Sequence, residues 1–481
     1  MNKCMSKLGP TFNHKTAGIF NVVLIFTFCM SLMCLPSFVC GAETLTLTLE
    51  EAVERALKYN KGIALAKEKV KESEAGQSVA RAKFFPYISA SASYTRLANA
   101  SGMELTMPTY GMTTLPVLNG LGVPTGDVVP IYGITGLNTL TYSIGSENIY
   151  DLRLSLQYPF FTWWKISNAY KIASLGLDAT KEDLRKKENE TKLSVTESFL
   201  RVQLAQSSLK LAGESMEQLK QHADQANDLY EAGKISKLDL LRAKVQLSSV
   251  KVQVAQAENG LALAGDALKN LLGLGLEDKI TLKGELEYKP CEVFLSEAIS
   301  TALANRSEIR SVALSVEMSR RSLEIARAGN KPNFVLAGNY DYKNPAGSGD
   351  AEWGTDWSIN ISVSLPLFQG GEITGKIRQA EAQLEQVKLG KEQLEEGIKM
   401  EVRNAFIQLN SSRELLGSQQ ENIKEAREAL EIAEDRYMNG LITNLECLDA
   451  QVALSRAEAD YVRTLADYLI AVARLEKAMN K

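Results

Sequence analysis

Histidine is almost missing from this chain. Its 481 residues include only His14 and His222, so a His-based catalytic set or a His/Cys metal cluster is nearly excluded. Four of the six cysteines (Cys4, Cys29, Cys34, Cys40) fall in the first forty residues, leaving Cys291 and Cys447 beyond them. Those two do not occupy equivalent positions in the internal repeat described below and are read as structurally neutral thiols outside any disulfide. A strong charge of either sign is missing too: the formal balance is −4, and no nucleic-acid partner is expected. With no metal cluster, no catalytic constellation and no cofactor motif, the expectation is a protein that is not an enzyme and carries no cofactor.

The first stretch that is informative by its presence is the N-terminus. Lys3, Lys7 and Lys15 precede an apolar run from Ile19 to Leu35, followed by Pro36 and a small-residue segment ending Cys40-Gly41-Ala42. Charge, apolar core and small residues in that order predict a secretory signal peptide over 1–42. An uncleaved membrane helix is disfavoured because the run is shorter than the ~20 residues a span needs. Lipid attachment at Cys40 is the other alternative, but Ser37-Phe38-Val39 lacks the small residues expected before a lipidated cysteine.

The mature chain is doubled. Residues 228–247 (DLYEAGKISKLDLLRAKVQL) and 435–454 (DRYMNGLITNLECLDAQVAL) share nine identities in twenty positions without a gap. In each copy Gly233 or Gly440 stands where a helix end tolerates positive φ, just after Tyr230 or Tyr437. Three residues on, Ser236-x-x-Asp239 and Thr443-x-x-Glu446 both fit a capping box that starts a new helix. Each copy is therefore a helical hairpin tip, at 230–239 and 437–446. The two halves also open alike, Thr48-x-x-Glu51 starting a helix that breaks near Asn60 to Gly62, and aligning Glu51 with Glu297 brings Pro86 onto Pro332 at one offset. The expected division is a first repeat over 43–274, a linker over 275–292 with at most one short strand, and a second repeat over 293–481.

After each proline the period changes from helical to two. Ile88, Ala90, Ala92 and Tyr94 alternate with serines; Leu152, Leu154, Leu156 and Tyr158 alternate with Arg153, Ser155 and Gln157; and Trp357, Ile359, Ile361, Val363 and Leu365 alternate with Ser358, Asn360, Ser362 and Ser364. With Phe334, Leu336, Tyr340 and Tyr342 these predict four strands, about 86–96, 148–160, 332–343 and 355–368, each with one apolar face and each near the ten residues of a tilted membrane-spanning strand. Four strands close no barrel, and open edges cannot face lipid, so several chains must pool them. Between the first two strands, 95–148 reads as a long exposed loop rich in Gly, Pro, Thr and Met, and Met103, Met107 and Met112 as incidental rather than metal ligands.

Beyond Phe161 and Phe368 the helical period returns and lasts. Ile373, Ala380, Val387 and Leu394 recur every seven, with Ile377, Leu384 and Ile398 four places on, which is coiled-coil spacing. A helix from Lys165 to Tyr230 is a rod of about 100 Å at 1.5 Å per residue. Its narrow stripe must pack on the return helix and on neighbouring hairpins.

The chain resembles the TolC-like outer-membrane efflux proteins over nearly its whole mature length. LTLEEAVERALKYNKGI matches that family's opening, SLPLFQGGEITGKIRQAEAQL (364–384) its strand-to-helix junction, and DRYMNGLITNLECLDAQVAL its hairpin tip. The resemblance implies a mainly α protein with a membrane β-barrel, built as two tandem repeats of helix, β-hairpin and long helical hairpin. It also implies a homotrimer with a twelve-stranded barrel in outer-membrane lipid and an α-helical tunnel in the periplasm. Its implied partners are a periplasmic adaptor and an inner-membrane efflux pump or ABC transporter. Small-molecule efflux and one-step protein secretion share this outer component, and the residues do not separate them. A periplasmic coiled-coil structural or adaptor protein without a channel is the rival reading; it predicts no membrane-length strands.

A passive duct needs a gate and a selectivity field. By resemblance, Asp449 and Glu446 fall where acidic rings narrow the periplasmic mouth, although the capping role of Glu446 already accounts for it. Asp239 and Tyr437 match positions that tie neighbouring hairpins shut, which suggests a bond from the Tyr437 hydroxyl to the Asp239 carboxylate. Two departures stand out. Trp163-Trp164 replaces the pair Gly370-Gly371, so the two strand-helix junctions are expected to differ, and Lys61-Gly62 lacks the proline common at that break.

Overall fold

The computed structural model describes residues 45–98, 102–118, 124–143, 146–346 and 352–480; the expected signal peptide and Cys40 lie outside them. In chain order the elements are β1 (Leu45–Leu47), α1 (Leu49–Tyr59), α2 (Lys61–Ala82), β2 (Tyr87–Arg96), β3 (Gly102–Leu118), β4 (Pro124–Ser143), β5 (Asn148–Phe161), α3 (Lys165–Glu231) and α4 (Lys237–Leu271). The second half follows with β6 (Ile280–Leu282), α5 (Leu295–Asn305), α6 (Ser307–Arg327), β7 (Asn333–Asn344), β8 (Gly354–Ser364), α7 (Glu372–Met438) and α8 (Asn444–Met479). No described helix is long and apolar enough to cross a membrane.

Local chemistry sets the boundaries. Thr48 and Glu51 form the full capping box, the Thr48 N–H donating to Glu51 at 2.8 Å. Asn60 ends α1 and starts α2: its side-chain oxygen accepts from the Gly62 N–H at 2.8 Å, while its Nδ2 donates to the Leu271 carbonyl at 3.0 Å. One amide thus does the work for which a proline was expected, and also anchors the break to α4.

The four predicted strands form one antiparallel sheet in the order β2-β5-β7-β8. Its register carries each side chain onto its own kind. Ala90 pairs with Leu154, Leu154 with Tyr340, and Tyr340 with Trp357 across one face, while Ser91 pairs with Arg153, Arg153 with Asp341, and Asp341 with Asp356 across the other. A one-residue slip would exchange the faces, which is why the alternation fixes the register.

The segment 95–148 is not the loop that its composition suggested. β3 and β4, 17 and 20 residues long, make a separate two-stranded antiparallel ribbon with a register shift at Thr109/Tyr110. The cause is its Thr, Val, Ile and Tyr content, which favours extended chain despite the scattered glycines and prolines. Tyr110, Met112, Tyr132, Ile134 and Leu137 stand exposed along it.

Below the sheet stand two rods, α3 and α7, each 67 residues long, or about 100 Å. The return helices α4 and α8 have only 35 and 36 residues, so they cover half of each rod. The other half is covered by α2 and α6: α2 packs on α3, α3 on α6 and α6 on α7. The helical layer therefore repeats the order of the sheet above it, each helix continuing its own strand. Among the stripe residues, Ala380 and Ile398 are buried and Ile373, Ile377, Leu384, Val387 and Leu394 half-buried, as the spacing requires.

Around the middle of the rods, β1 pairs parallel with β6, and α1 and α5 close two cores. One holds Ala52, Ala56, Phe199, Val202, Leu268 and Leu282, the other Ala298, Ala302, Val402, Leu409, Tyr468 and Leu475. Ala52 and Ala56 on α1 and Ala298 and Ala302 on α5 are fully buried, which lets these short helices lie close against the rods.

Candidate functional site

The sheet's polar face carries a band of charge. Arg153 Nε donates to Asp341 at 2.6 Å, Asp151 lies 3.5 Å from the same guanidinium, and Lys343 is 3.9 Å from Asp356. The opposite face presents Ile88, Leu152, Leu154, Tyr340, Trp357, Ile359 and Ile361, all exposed in the single chain. One wall suits lipid and the other suits water, and among the described residues the outer edges of β2 and β8 are left unpaired.

At the far end both tips close by the same backbone device. Gly233 and Gly440 have φ of 69° and 70°. The Lys234 and Leu441 N–H groups each reach back five residues, to Leu229 and Arg436, at 2.8 Å, the Schellman arrangement that satisfies the last helical carbonyls. Thr443 and Glu446 form the expected capping box. The first tip forms half of one: Ser236 accepts from the Asp239 N–H at 3.2 Å, and its hydroxyl donates to the Asp239 carboxylate at 2.7 Å. An aspartate is one methylene too short to return to the cap's own N–H.

The two hairpins are tied by a residue that the sequence did not single out. Asn444 is buried; its Oδ1 lies 2.6 Å from His222 Nε2 on α3, and its Nδ2 donates to the Asp239 carbonyl on α4 at 3.1 Å. An amide oxygen only accepts, so His222 donates through Nε2. Leu219, Val250 and Leu448 pack just above, joining α3, α4 and α8.

At the upper junctions Trp163 and Trp164 adopt φ of 51° and 61°, matching 57° and 85° at Gly370 and Gly371. The backbones therefore agree where a difference was expected, because both chains must make the same left-handed turn from strand into helix. Two tryptophans held there cost about 1–2 kcal/mol each. They pack in an aromatic cluster: Phe161 lies 5.2 Å from Trp163 and 6.0 Å from Trp164, ring to ring.

A family model described as outer membrane efflux protein matches residues 52–274 and 298–481. The chain belongs to that family. It is 27% identical over 336 residues to the alkaline protease secretion protein AprF of Pseudomonas aeruginosa, covering 68% of each chain. It is 24% identical to the outer membrane protein TolC of Vibrio cholerae over 60% of this chain and 67% of that one. Its fold is shared with the Campylobacter jejuni CmeC outer membrane channel, at a TM-score of 0.71 and 19% identity over 90% of this chain and 85% of that one. The rival reading without membrane-length strands falls with the four-stranded sheet.

Within this efflux-family chain, the predicted tip residues are distributed as follows. Glu446 and Asp449 are exposed on one face of α8, being three residues apart. Bonds from the Thr443 N–H and hydroxyl hold the Glu446 carboxyl below its ordinary range. The Tyr437 ring lies tilted at 5.5 Å from His222, and its hydroxyl is buried with no hydrogen-bond partner among the described residues. Asp239 is close enough to add, after burial and Cys447, to the rise in the Tyr437 pKa. The expected Tyr437–Asp239 bond is nevertheless not formed among the described residues of this chain, where the Asp239 carboxylate accepts from the Ser236 hydroxyl. Asn444 makes the tie instead, between residues so far apart in sequence that no local pattern signals it.

Proposed function

We propose that this chain is one subunit of the outer-membrane exit duct of a tripartite efflux or one-step secretion system, and that it conducts substrate passively. The observation that carries the reading is the four-stranded sheet with one apolar face, one ion-paired face and two open edges, standing on helices in the same order. β8 of one copy runs antiparallel to β2 of the next, so copies close a ring without a change of pairing. With four strands per chain, two copies give eight, whose interior side chains fill. Three give twelve and the first open bore. The helical layer closes with the sheet and continues the bore into the periplasm.

At its end, Glu446 and Asp449 from three copies form acidic rings at the mouth, which favour cations and resist anions. A periplasmic adaptor and an inner-membrane pump supply the driven step, since the chain offers a passage and no motor. Reconstituted in planar bilayers, the full chain is expected to form trimers with stepwise conductance and a cation preference that Glu446→Gln with Asp449→Asn reduces. Detergent-extracted protein that runs as a monomer and forms no channel would overturn the reading.

A further inference from the structure

The first strand-helix junction holds a cleft of about 470 Å³ between the start of α3 and the end of α6, lined in part by half-buried Trp163 and exposed Trp164. Four cations line it (Lys171, Arg321, Arg327, Lys331) against one carboxylate, Glu324. That carboxylate is spoken for, since Arg327 binds it at 3.2 Å and also reaches Glu381 at 3.3 Å. Arg321 is paired with Glu317 at 2.7 Å. Lys171 and Lys331 stand exposed and form no ion pair among the described residues; Lys331 lies over the Trp163 ring, 5.6 Å from its centroid. The cleft therefore offers two uncompensated ammonium groups beside two indoles, and a ligand that answers them carries a negative charge.

Its position narrows the ligand further. Phe161 pairs with Phe334, which shares the apolar face of Leu336, Tyr340 and Tyr342, and both tryptophans pack on Phe161. The cluster thus extends the lipid-facing wall just past the strand ends, at the depth of headgroups, where indoles with one apolar and one wet side are favoured. The internal repeat supplies a control. At the second junction the tryptophans become Gly370 and Gly371 and Lys171 becomes Arg378, while Arg321 and Lys331 align with Ala75 on α2 and Phe85 just after it, a segment that a neighbouring copy would lay against that junction in the proposed duct. The same turn is made there with less strain and half the positive charge, so the turn itself does not require what the first junction carries.

We propose that this cleft is a binding site for the phosphate headgroup of an anionic glycerophospholipid of the periplasmic leaflet, one per subunit. Lys171 and Lys331 take the phosphate, and Trp163 and Trp164 cover the glycerol backbone. The proposal rests on the duct reading, which sets the membrane depth of the junction.

The test is native mass spectrometry of the purified full-length assembly with added phosphatidylglycerol, phosphatidylcholine or inorganic phosphate. The expected result is selective retention of phosphatidylglycerol, up to one per subunit, at least about tenfold above phosphatidylcholine. Lys171→Gln with Lys331→Gln removes that selectivity. Trp163→Gly with Trp164→Gly, which restores the junction of the second half and relieves its backbone, also weakens retention while the trimer mass and conductance persist. Equal retention of the two lipids, unchanged retention in the lysine pair, or displacement by inorganic phosphate at matched concentration overturns the proposal. A wild-type protein that is neither trimeric nor conducting refutes the duct reading; an intact conducting trimer without lipid selectivity refutes the lipid site alone.

Discussion

Replacing Asn444 by Ala cuts the tie between the hairpin tips at its centre. The amide makes a 2.6 Å contact with His222 and a 3.1 Å bond to the Asp239 carbonyl, in a site where Asn444 is 4% and His222 9% exposed. The carbonyl bond is worth about 0.5–1.5 kcal/mol, and leaving the imidazole donor buried without a partner costs about 1–3 kcal/mol more. Together about 2–4 kcal/mol leaves the tied arrangement in each subunit, a shift of roughly 30- to 1,000-fold in its ratio to the separated one. Single-channel recording in planar bilayers reads this directly, as longer or larger open events in Asn444→Ala than in wild type. Asn444→Asp keeps an acceptor opposite His222 and belongs between the two. If Asn444→Ala gates as wild type does, while hydrogen exchange shows its tip amides loosened, the tie does not hold the mouth and the reasoning fails.

Other perturbations reach the sheet and the waist, the two cores around the middle of the rods. Arg306, 3% exposed, donates to Glu401 at 2.6 Å, and Lys477 donates to the same carboxylate at 3.0 Å. Burial alone would raise the Glu401 pKa, but these two partners bring it down to about 2. A depressed carboxylate stabilises the fold above its unfolded value near 4.5, and the benefit fades as pH falls from there through 2. After screening at a half-exposed group, Glu401→Gln is expected to cost about 1–2 kcal/mol at pH 7 and little at pH 2, measured by denaturant unfolding in detergent. Tyr468 is fully buried, its hydroxyl donating to the Lys289 carbonyl at 2.9 Å and accepting from the Cys291 N–H at 3.1 Å. Tyr468→Phe should cost about 1–3 kcal/mol in the same assay and free the linker to protease. On the polar face of the sheet Arg153 and Lys343 oppose Asp151, Asp341 and Asp356, a net −1 per chain. Arg153→Ala makes it −2, and reversal potentials in a salt gradient should move toward stronger cation preference.

What could be read from residue order was what is decided locally. The stripe of Ile373, Ala380 and Leu394, the tip glycines, the Thr48 and Thr443 boxes and the break at Asn60 each depend on neighbours within a turn or two. The β3–β4 ribbon was missed because glycines and prolines punctuate a segment whose apolar residues lie on both faces, so no alternation marks it. The shared turn at Trp163 and Trp164 is not legible because left-handed φ is improbable for tryptophan, so the replacement of Gly370 and Gly371 reads as a difference between the junctions. The Asn444 tie joins residues 222 apart in sequence, and its amide looked like any first-turn residue. The acidic residues of the tip were legible as candidates through the family resemblance, whereas their facing toward a bore depends on neighbours outside the single chain.

The matching order of strands and helices bears on where such a duct opens. A neighbour that pairs its β2 with this chain's β8 must also lay its α2 along α7, because α2 runs directly into β2 and β8 leads within eight residues into α7. Sheet and upper helical layer are therefore closed by one contact and cannot be opened separately. Below the waist α2 and α6 give way to α4 and α8, and no sheet continues the register. There the hairpins meet through small clusters such as Leu219, Val250 and Leu448, the Ser215–Ser455 hydroxyl pair and the Asn444 amide. Those groups between the hairpins are few, whereas each return helix stays packed along its own rod. In the proposed duct, motion that widens the bore is therefore expected between the hairpin tips, not at the sheet or the cores around the middle of the rods.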